Sequence, residues 1–326
     1  MKALVTGGTG FVGSHVVRQL VAGGHTARVL HRKSSKLNAL EGLSYEAAYG
    51  DVTDLDALRR ACEGVEVVFH VAAVADYWRA EVKHMFDVNV GGTQHVLDAA
   101  QENGVRRVVF TSSAAAIGFL DERPSDETVP FNMSQNFFPY GYSKKLAQDL
   151  VAERVRGGQD IVTMNPVVIM GPGDINVISG TFMVQMKRFG MFTPSTSGGV
   201  AVIDVRDVAR YHLLAADTGI RGENYVLTTA NYHYNEWFKM IAEVVGVRPP
   251  LVTVPSFLLP MGARLFDLAR SVGINTPIDA NQVRLGAKNV FFNGEKAWQA
   301  FGKPHVDMMK SLHDTYAWYR EHGVMR

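Results

Sequence analysis

A chain of 326 residues, 47% hydrophobic and 20% charged, can bury a sizeable core, which excludes an intrinsically disordered or fibrous protein. Its formal charge of +1, with lysines and arginines scattered along the sequence, excludes a nucleic-acid surface as the organising feature. The single cysteine, Cys62, cannot close an internal disulfide, and in a helical stretch it reads as a buried structural thiol in a reducing, cytoplasmic setting.

The first strand, Ala3 to Val5, begins so early that no signal peptide is expected. It runs into Thr6-Gly7-Gly8-Thr9-Gly10-Phe11-Val12-Gly13, and a helix follows with Val16, Val17, Leu20 and Val21 at helical spacing. Gly7, Gly10 and Gly13 permit a tight turn that brings a diphosphate close to bare N–H groups, with the positive end of the helix behind them. Thr9, Phe11 and Val12 belong to the same cradle. Gly23-Gly24 stop the helix, and the strand Thr26 to Leu30 completes a βαβ unit. Where a carboxylate would hold a ribose 2′-hydroxyl, the sequence has His31-Arg32-Lys33-Ser34-Ser35-Lys36. Arg32, aided by Lys36, suits a 2′-phosphate, so NADP is the expected cofactor, with NAD possible.

A third strand over 44–49 leads to Gly50-Asp51-Val52, which places Asp51 at a strand's carboxyl end beside the adenine, and a helix follows on Leu55, Leu58 and Cys62. Val65 to Val71 reads as a buried parallel strand containing a core histidine, His70. It ends in Ala72-Ala73, small enough for a cofactor to lie against the backbone. Tyr77 and Trp78 read equally as a surface pair or a substrate rim. A helix is expected from Met85 to Gln101, with Asn89 placed to hold backbone groups behind the site. The strand Arg107 to Thr111 ends in Thr111-Ser112-Ser113. Pro139-Tyr140-Gly141-Tyr142-Ser143-Lys144 then opens a helix on which Tyr140 and Lys144 share a face, while Tyr142 does not.

After the strand Ile161 to Asn165, the run Pro166 to Asp174 turns toward the cleft. The segment 175–200, with Phe182, Met183, Met186 and Phe189, reads either as an adaptable apolar wall or as plain core, Met170 lying just before it. Val200 to Asp207 is expected to rejoin the sheet and Asn224 to Leu227 to add one strand. Helices are expected over 234–245 and 256–270, with an amphipathic tail from Met308 to His322. The most apolar late stretch, Pro255 to Leu268, is interrupted by Pro260, Arg264 and Asp267, so no membrane span and no membrane partner are expected.

The glycine turn, Gly50-Asp51-Val52, Ser113, Tyr140-Gly141-Tyr142-Ser143-Lys144, Asn165-Pro166 and Gly171-Pro172 together resemble the extended short-chain dehydrogenase/reductase superfamily, over nearly the whole chain. Phe69 to Ala73, Val109 to Ser113 and Ala317 to Gly323 are most similar to its dihydroflavonol 4-reductase group. The resemblance implies an α/β fold, a doubly wound parallel (Rossmann) sheet with a smaller C-terminal α/β substrate lobe. It also implies a Ser-Tyr-Lys catalytic set at Ser113, Tyr140 and Lys144. By the same carry-over Asp51 and Val52 lie by the adenine, Ala72 and Ala73 by the ribose, and Pro166 to Val168 by the nicotinamide.

The chemistry is consistent with that assignment: hydride reduction of a carbonyl leaves charge on oxygen, which needs an acid and a donor. A lysine ammonium lowers a phenol's pKa from its usual value of about 10, so Tyr140 can cycle its proton. The expected domains are a dinucleotide-binding unit over 1–170, rejoined by 200–230, and a substrate lobe from 171–199 and 231–326. The expected activity is NADPH-dependent reduction of a ketone or aldehyde, with Ser113, Tyr77, Met170, Phe182 and Met186 facing substrate, no metal, and a possible homodimer. A sugar-nucleotide epimerase or dehydratase, for which Lys187, Arg188 and Arg206 could hold a diphosphate, and a 3β-hydroxysteroid-type dehydrogenase are the rival activities. A non-catalytic NADP sensor is the rival of a different class.

Overall fold

Seven short segments of Val, Ala, Ile, Phe and Thr form one sheet: β1 (Lys2–Thr6), β2 (Thr26–His31), β3 (Glu46–Tyr49), β4 (Val67–His70), β5 (Arg107–Thr111), β6 (Ile161–Pro166) and, later in the chain, Asn224–Leu227. The computed structural model describes residues 1–75, 80–259, 261–264 and 280–325. Every pairing in this sheet is parallel, in the order Asn224–Leu227, β6, β5, β4, β1, β2, β3. The order reverses between β1 and β4, so their carboxyl ends flank the crevice where a doubly wound sheet receives its ligand.

Helices cover both faces, which is why the central strands β1, β4, β5 and β6 are buried along nearly their whole length rather than alternating, while the edge strand β3 is mostly exposed. On one side α1 (Phe11–Ala22) packs with the helix Val205–Thr218, burying Val16, Val17, Leu20, Val208 and Tyr211. On the other, α2 (Leu55–Cys62), α4 (Gly92–Glu102) and α5 (Pro139–Arg156) bring Leu58, Val96, Leu97, Ala147 and Val151 onto the strands, while α3 (Val82–Phe86) packs through Met85 against Phe138 and Tyr140. Cys62 is buried there, and loss of solvent raises its thiol pKa to about 12, which makes it a packing group rather than a nucleophile.

Two expectations are corrected. The helix expected over Met85 to Gln101 is interrupted between α3 and α4 by a π-helical turn, Asp87–Gly91, which carries Asn89. The strand expected to rejoin the main sheet does not: β7 (Val168–Met170), β8 (Ser195–Thr196) and β9 (Gly199–Asp204) lie outside it. β9 is instead the centre of a second sheet with Ala230–His233, Asn289–Val290 and β7. β6 already pairs on one edge with β5 and on the other with Asn224–Leu227, so no edge of it is open to β9.

The second sheet shares a separate core of Met170, Met183, Met186, Val202, Trp237, Ile241 and Leu312. The helices supplying it are α6 (Thr181–Phe189), Tyr234–Val245 and the C-terminal Met308–Glu321. Of the helix expected over 256–270, Ser256–Leu258 forms a 3-10 turn and residues 259 and 261–264 are helical, while residues 260 and 265–270 lie outside the described residues.

Candidate active site

The glycine turn leaves β1 at the switch point and opens α1. Gly10 caps the helix without a side chain, no acidic residue stands in its first turn, and the Gly10 N–H closes the turn on Gly7 O at 3.0 Å. The first N–H groups of α1 therefore have no side-chain acceptor, which is the donor set a diphosphate requires. Gly13 is fixed by space: a Cβ there would meet Gly7 O at 2.2 Å and Gly8 Cα at 2.8 Å. Gly13→Ala should therefore lower dinucleotide affinity roughly tenfold or more through strain in the cradle, measured by fluorescence titration.

At the far end of the crevice, Arg32 follows β2 and Asp51 follows β3. Arg32 is 65% exposed, with its Nε 3.9 Å from Asp51 Oδ2, too long and too solvated to occupy the guanidinium. Asp51 accepts from Thr53 N and Oγ1, which fixes its carboxylate, and Lys36 is exposed on the loop beyond β2. Val52 is buried under Gly92. Ala72 and Ala73 continue from β4, where the Ala72 N–H donates to Thr6 Oγ1 at 3.3 Å.

Pro139 begins α5, so Tyr140 is its second residue, in the positive potential of the helix end. The Tyr140 ring packs against Phe138, with Met85 and Ala115 in the same cluster. One turn on, Lys144 is fully buried, donating from Nζ to Thr111 O at 3.0 Å with the Phe110 ring 5.4 Å away. Among the described residues no carboxylate pairs with it. Burial alone brings its pKa from 10.5 down to about 7. Ser113 caps a short 3-10 turn, Ala114–Ala116, accepting from Ala115 N at 3.2 Å. A Cβ on Gly141 would lie 2.4 Å from Ala115 O, so α5 approaches this turn more closely than any other residue would allow. The Ser113 turn and the helix bearing Tyr140 and Lys144 are thus packed together beside the carboxyl end of β5.

Hydrogen bonds behind this group were only partly legible. Asn89 accepts from Val74 N at 2.8 Å, and its amide donates to Val74 O and to Ser143 Oγ, while the Ser143 hydroxyl donates to Tyr140 O at 2.7 Å. The π-helical turn thereby ties the strand end after β4 to the first turn of α5. His70 is held between Thr6 Oγ1 at 2.8 Å and Thr93 Oγ1 at 3.0 Å. Because the Thr93 hydroxyl donates to Asn89 O, His70 must donate from Nε2 and accept at Nδ1. Burial lowers its pKa to about 3, so it is a neutral core group.

Gln148 was missed. One turn beyond Lys144 on α5, it donates to Ser112 Oγ at 2.7 Å and to Asn165 Oδ1 at 2.6 Å, locking β5 to β6. The four-residue spacing from Lys144 was its signal.

Pro166 ends β6 and Val168 begins β7, so this stretch is the seam at which the chain passes between the sheets. Met170 and Met186 are buried in the second core. Half-buried Phe182 packs with tilted rings against Tyr234 and Phe238, so between wall and core the packing of these residues is that of core. Tyr77 and Trp78 lie outside the described residues. Lys187 donates to Val245 O and sits over the Tyr316 ring. Arg206 binds Asp204 and Asp314, which raise its pKa. Among the described residues no helix is long and apolar enough to cross a membrane, and no cluster of three metal-ligating side chains occurs.

A model of the NAD dependent epimerase/dehydratase family matches residues 3–228. A Synechocystis protein provisionally named a dihydroflavonol 4-reductase is 33% identical over 99% of this chain and 95% of its own length. Sterol demethylase protein B of Methylococcus capsulatus is 33% identical over the full length of both. The crystal structure of gox2253 superposes with a TM-score of 0.87 at 34% identity, covering 99% of each chain.

Proposed function

The chain belongs to the NAD dependent epimerase/dehydratase family and is an NAD(P)-dependent enzyme of the oxidoreductase type, and from that premise we propose that it is an NADPH-dependent reductase of a ketone or aldehyde on an apolar substrate. The observation that carries this reading is the buried Lys144, with no carboxylate paired to it among the described residues, one turn from Tyr140 on a helix packed against the Ser113 turn.

The bare first turn of α1 would hold the diphosphate, Asp51 and Val52 the adenosine, and Arg32 with Lys36 a 2′-phosphate. A nicotinamide dinucleotide supplies the hydride when bound. Ser113 donates a hydrogen bond to the substrate oxygen and fixes the carbonyl in place. As the carbonyl carbon gains the hydride, its oxygen takes the Tyr140 proton and becomes an alcohol. The Lys144 ammonium and the N-terminal end of α5 both favour the phenolate left behind, which then regains a proton from solvent. Asn89 acts as a positioning residue through Ser143 and the Tyr140 carbonyl.

The commitments of Lys187 and Arg206 favour this reading over a sugar-nucleotide epimerase. Two of the three cations that could meet a diphosphate in the second lobe are bound to protein groups instead. The test is NADPH consumption at 340 nm with aromatic and aliphatic carbonyls, beside epimerisation of UDP-sugars. Turnover of a carbonyl with one NADPH oxidised per alcohol supports the proposal. Epimerisation without net oxidation, or dinucleotide binding without any turnover, contradicts it.

Cofactor choice has its own test. A lost charge-assisted contact of about 1.5–3 kcal/mol means that Arg32→Ala should weaken NADPH binding roughly 10-fold to 100-fold and NADH binding less than about twofold. Equal losses would remove Arg32 from the 2′-phosphate.

A further inference from the structure

The second lobe carries an exposed apolar surface that the proposed reaction does not use. After α6 the chain runs through Met191 to β8, and residues 251–254 lie beside it: Leu251 N donates to Met191 O, and Thr253–Val254 pairs in parallel with Ser195–Thr196. On this paired edge Phe192 is 77% exposed, Leu251 71% and Val252 70%, with Phe257 at 76% in the turn that follows. Phe189, at the end of α6, and Met261 are exposed as well. Large apolar side chains grouped in this way on a water-facing surface mark a contact site.

The charge carried by the two stretches that form this surface is of one sign. Residues 175–200 and 246–264 contain no Asp or Glu, while Arg188, Arg248 and Arg264 are exposed among the apolar groups. The Arg188 guanidinium lies over the Phe189 ring at 5.2 Å, pairing a cation with one of the exposed rings. We propose that this basic, apolar face is a docking surface for an anionic lipid bilayer.

Charge selects this occupant over a second copy of the chain. A two-fold contact would set each copy's arginines against the other's with no carboxylate in either stretch, whereas lipid phosphates neutralise them while the rings enter the acyl boundary. The protein would then lie on the membrane, not through it. The proposal does not depend on the reductase reading, and its test requires no turnover.

The experiment is co-sedimentation of the full chain with vesicles of roughly 70% phosphatidylcholine and 30% phosphatidylglycerol, against phosphatidylcholine alone. The wild type should bind the anionic vesicles at least about tenfold better, and about 0.5 M salt should reduce that binding several-fold. Phe192→Ser and Leu251→Ser, read as separate variants with dinucleotide binding and Tm as fold controls, should each lose most binding to both kinds of vesicle. Arg188→Gln with Arg248→Gln should lose only the preference for the anionic ones. Failure of the wild type to bind anionic vesicles overturns the proposal, as does binding indifferent to all these substitutions. A dimer by light scattering that Phe192→Ser converts to monomer, without vesicle binding, overturns it in favour of a second copy.

Discussion

Tyr140→Phe should lower kcat by about 10²–10⁴-fold, the span attributable to a positioned general acid, while leaving NADPH affinity within about twofold. The substitution removes one oxygen and keeps the ring, which packs against Phe138 with its centroid 6.2 Å away and shares a cluster with Met85 and Ala115. The fold and the glycine cradle should therefore be unchanged, and Tm should confirm it. Tyr142 cannot take over. Its ring lies beside Phe86 and Phe131, on a different face of α5 from Lys144. Steady-state kinetics with the carbonyl identified in the 340 nm assay, together with a dinucleotide titration, check both halves. A variant retaining more than about a tenth of the wild-type kcat would show that the proton comes from elsewhere.

Lys144→Met should abolish most activity and, at neutral pH, make the protein more stable. The lysine is buried with no carboxylate paired to it among the described residues, and its pKa falls from 10.5 to about 7, so the folded state binds its proton less tightly than the unfolded chain does. Stability from this site therefore rises with pH between about 7 and 10.5, and at pH 7 and below the lysine is a cost. Replacing a buried charge with an apolar group of similar length is commonly stabilising by roughly 1–4 kcal/mol, less the bond to Thr111 O. Thermal unfolding should show a higher Tm for the variant at pH 6–7, with the difference shrinking toward about pH 10. A variant destabilised at every pH would mean that Lys144 is a structural group, and retained activity would remove it from the chemistry. An expense of this kind at one residue is the trade-off expected where function fixes the side chain.

The dinucleotide half of the fold was legible because its signals are local. Glycine spacing, a helix with apolar residues every third or fourth position, and short buried strands each read out over fewer than about fifteen residues. Tyr140 and Lys144 were equally visible, being four apart on one helix. Pairings set by competition between distant segments were not visible. Nothing in Gly199–Asp204 distinguishes a strand of the main sheet from one of a second sheet, since that depends on Asn224–Leu227 taking the edge of β6. The π-helical turn at Asp87–Gly91 was hidden for a related reason. Its geometry lets Asn89 bond Val74 and Ser143, partners 15 and 54 residues away, and helical periodicity does not encode them. Met170 and Met186 illustrate the limit for substrate contacts, because composition alone cannot separate a cleft wall from the core behind it.

The most direct measurement is a crystal structure with NADP and the alcohol product. The proposal expects Tyr140 Oη and Ser113 Oγ both within about 3 Å of the same alcohol oxygen, with Lys144 Nζ on the nicotinamide ribose. An alcohol bound elsewhere in the crevice, or a Tyr140 hydroxyl turned away from Ser113 with the cofactor in place, would contradict it.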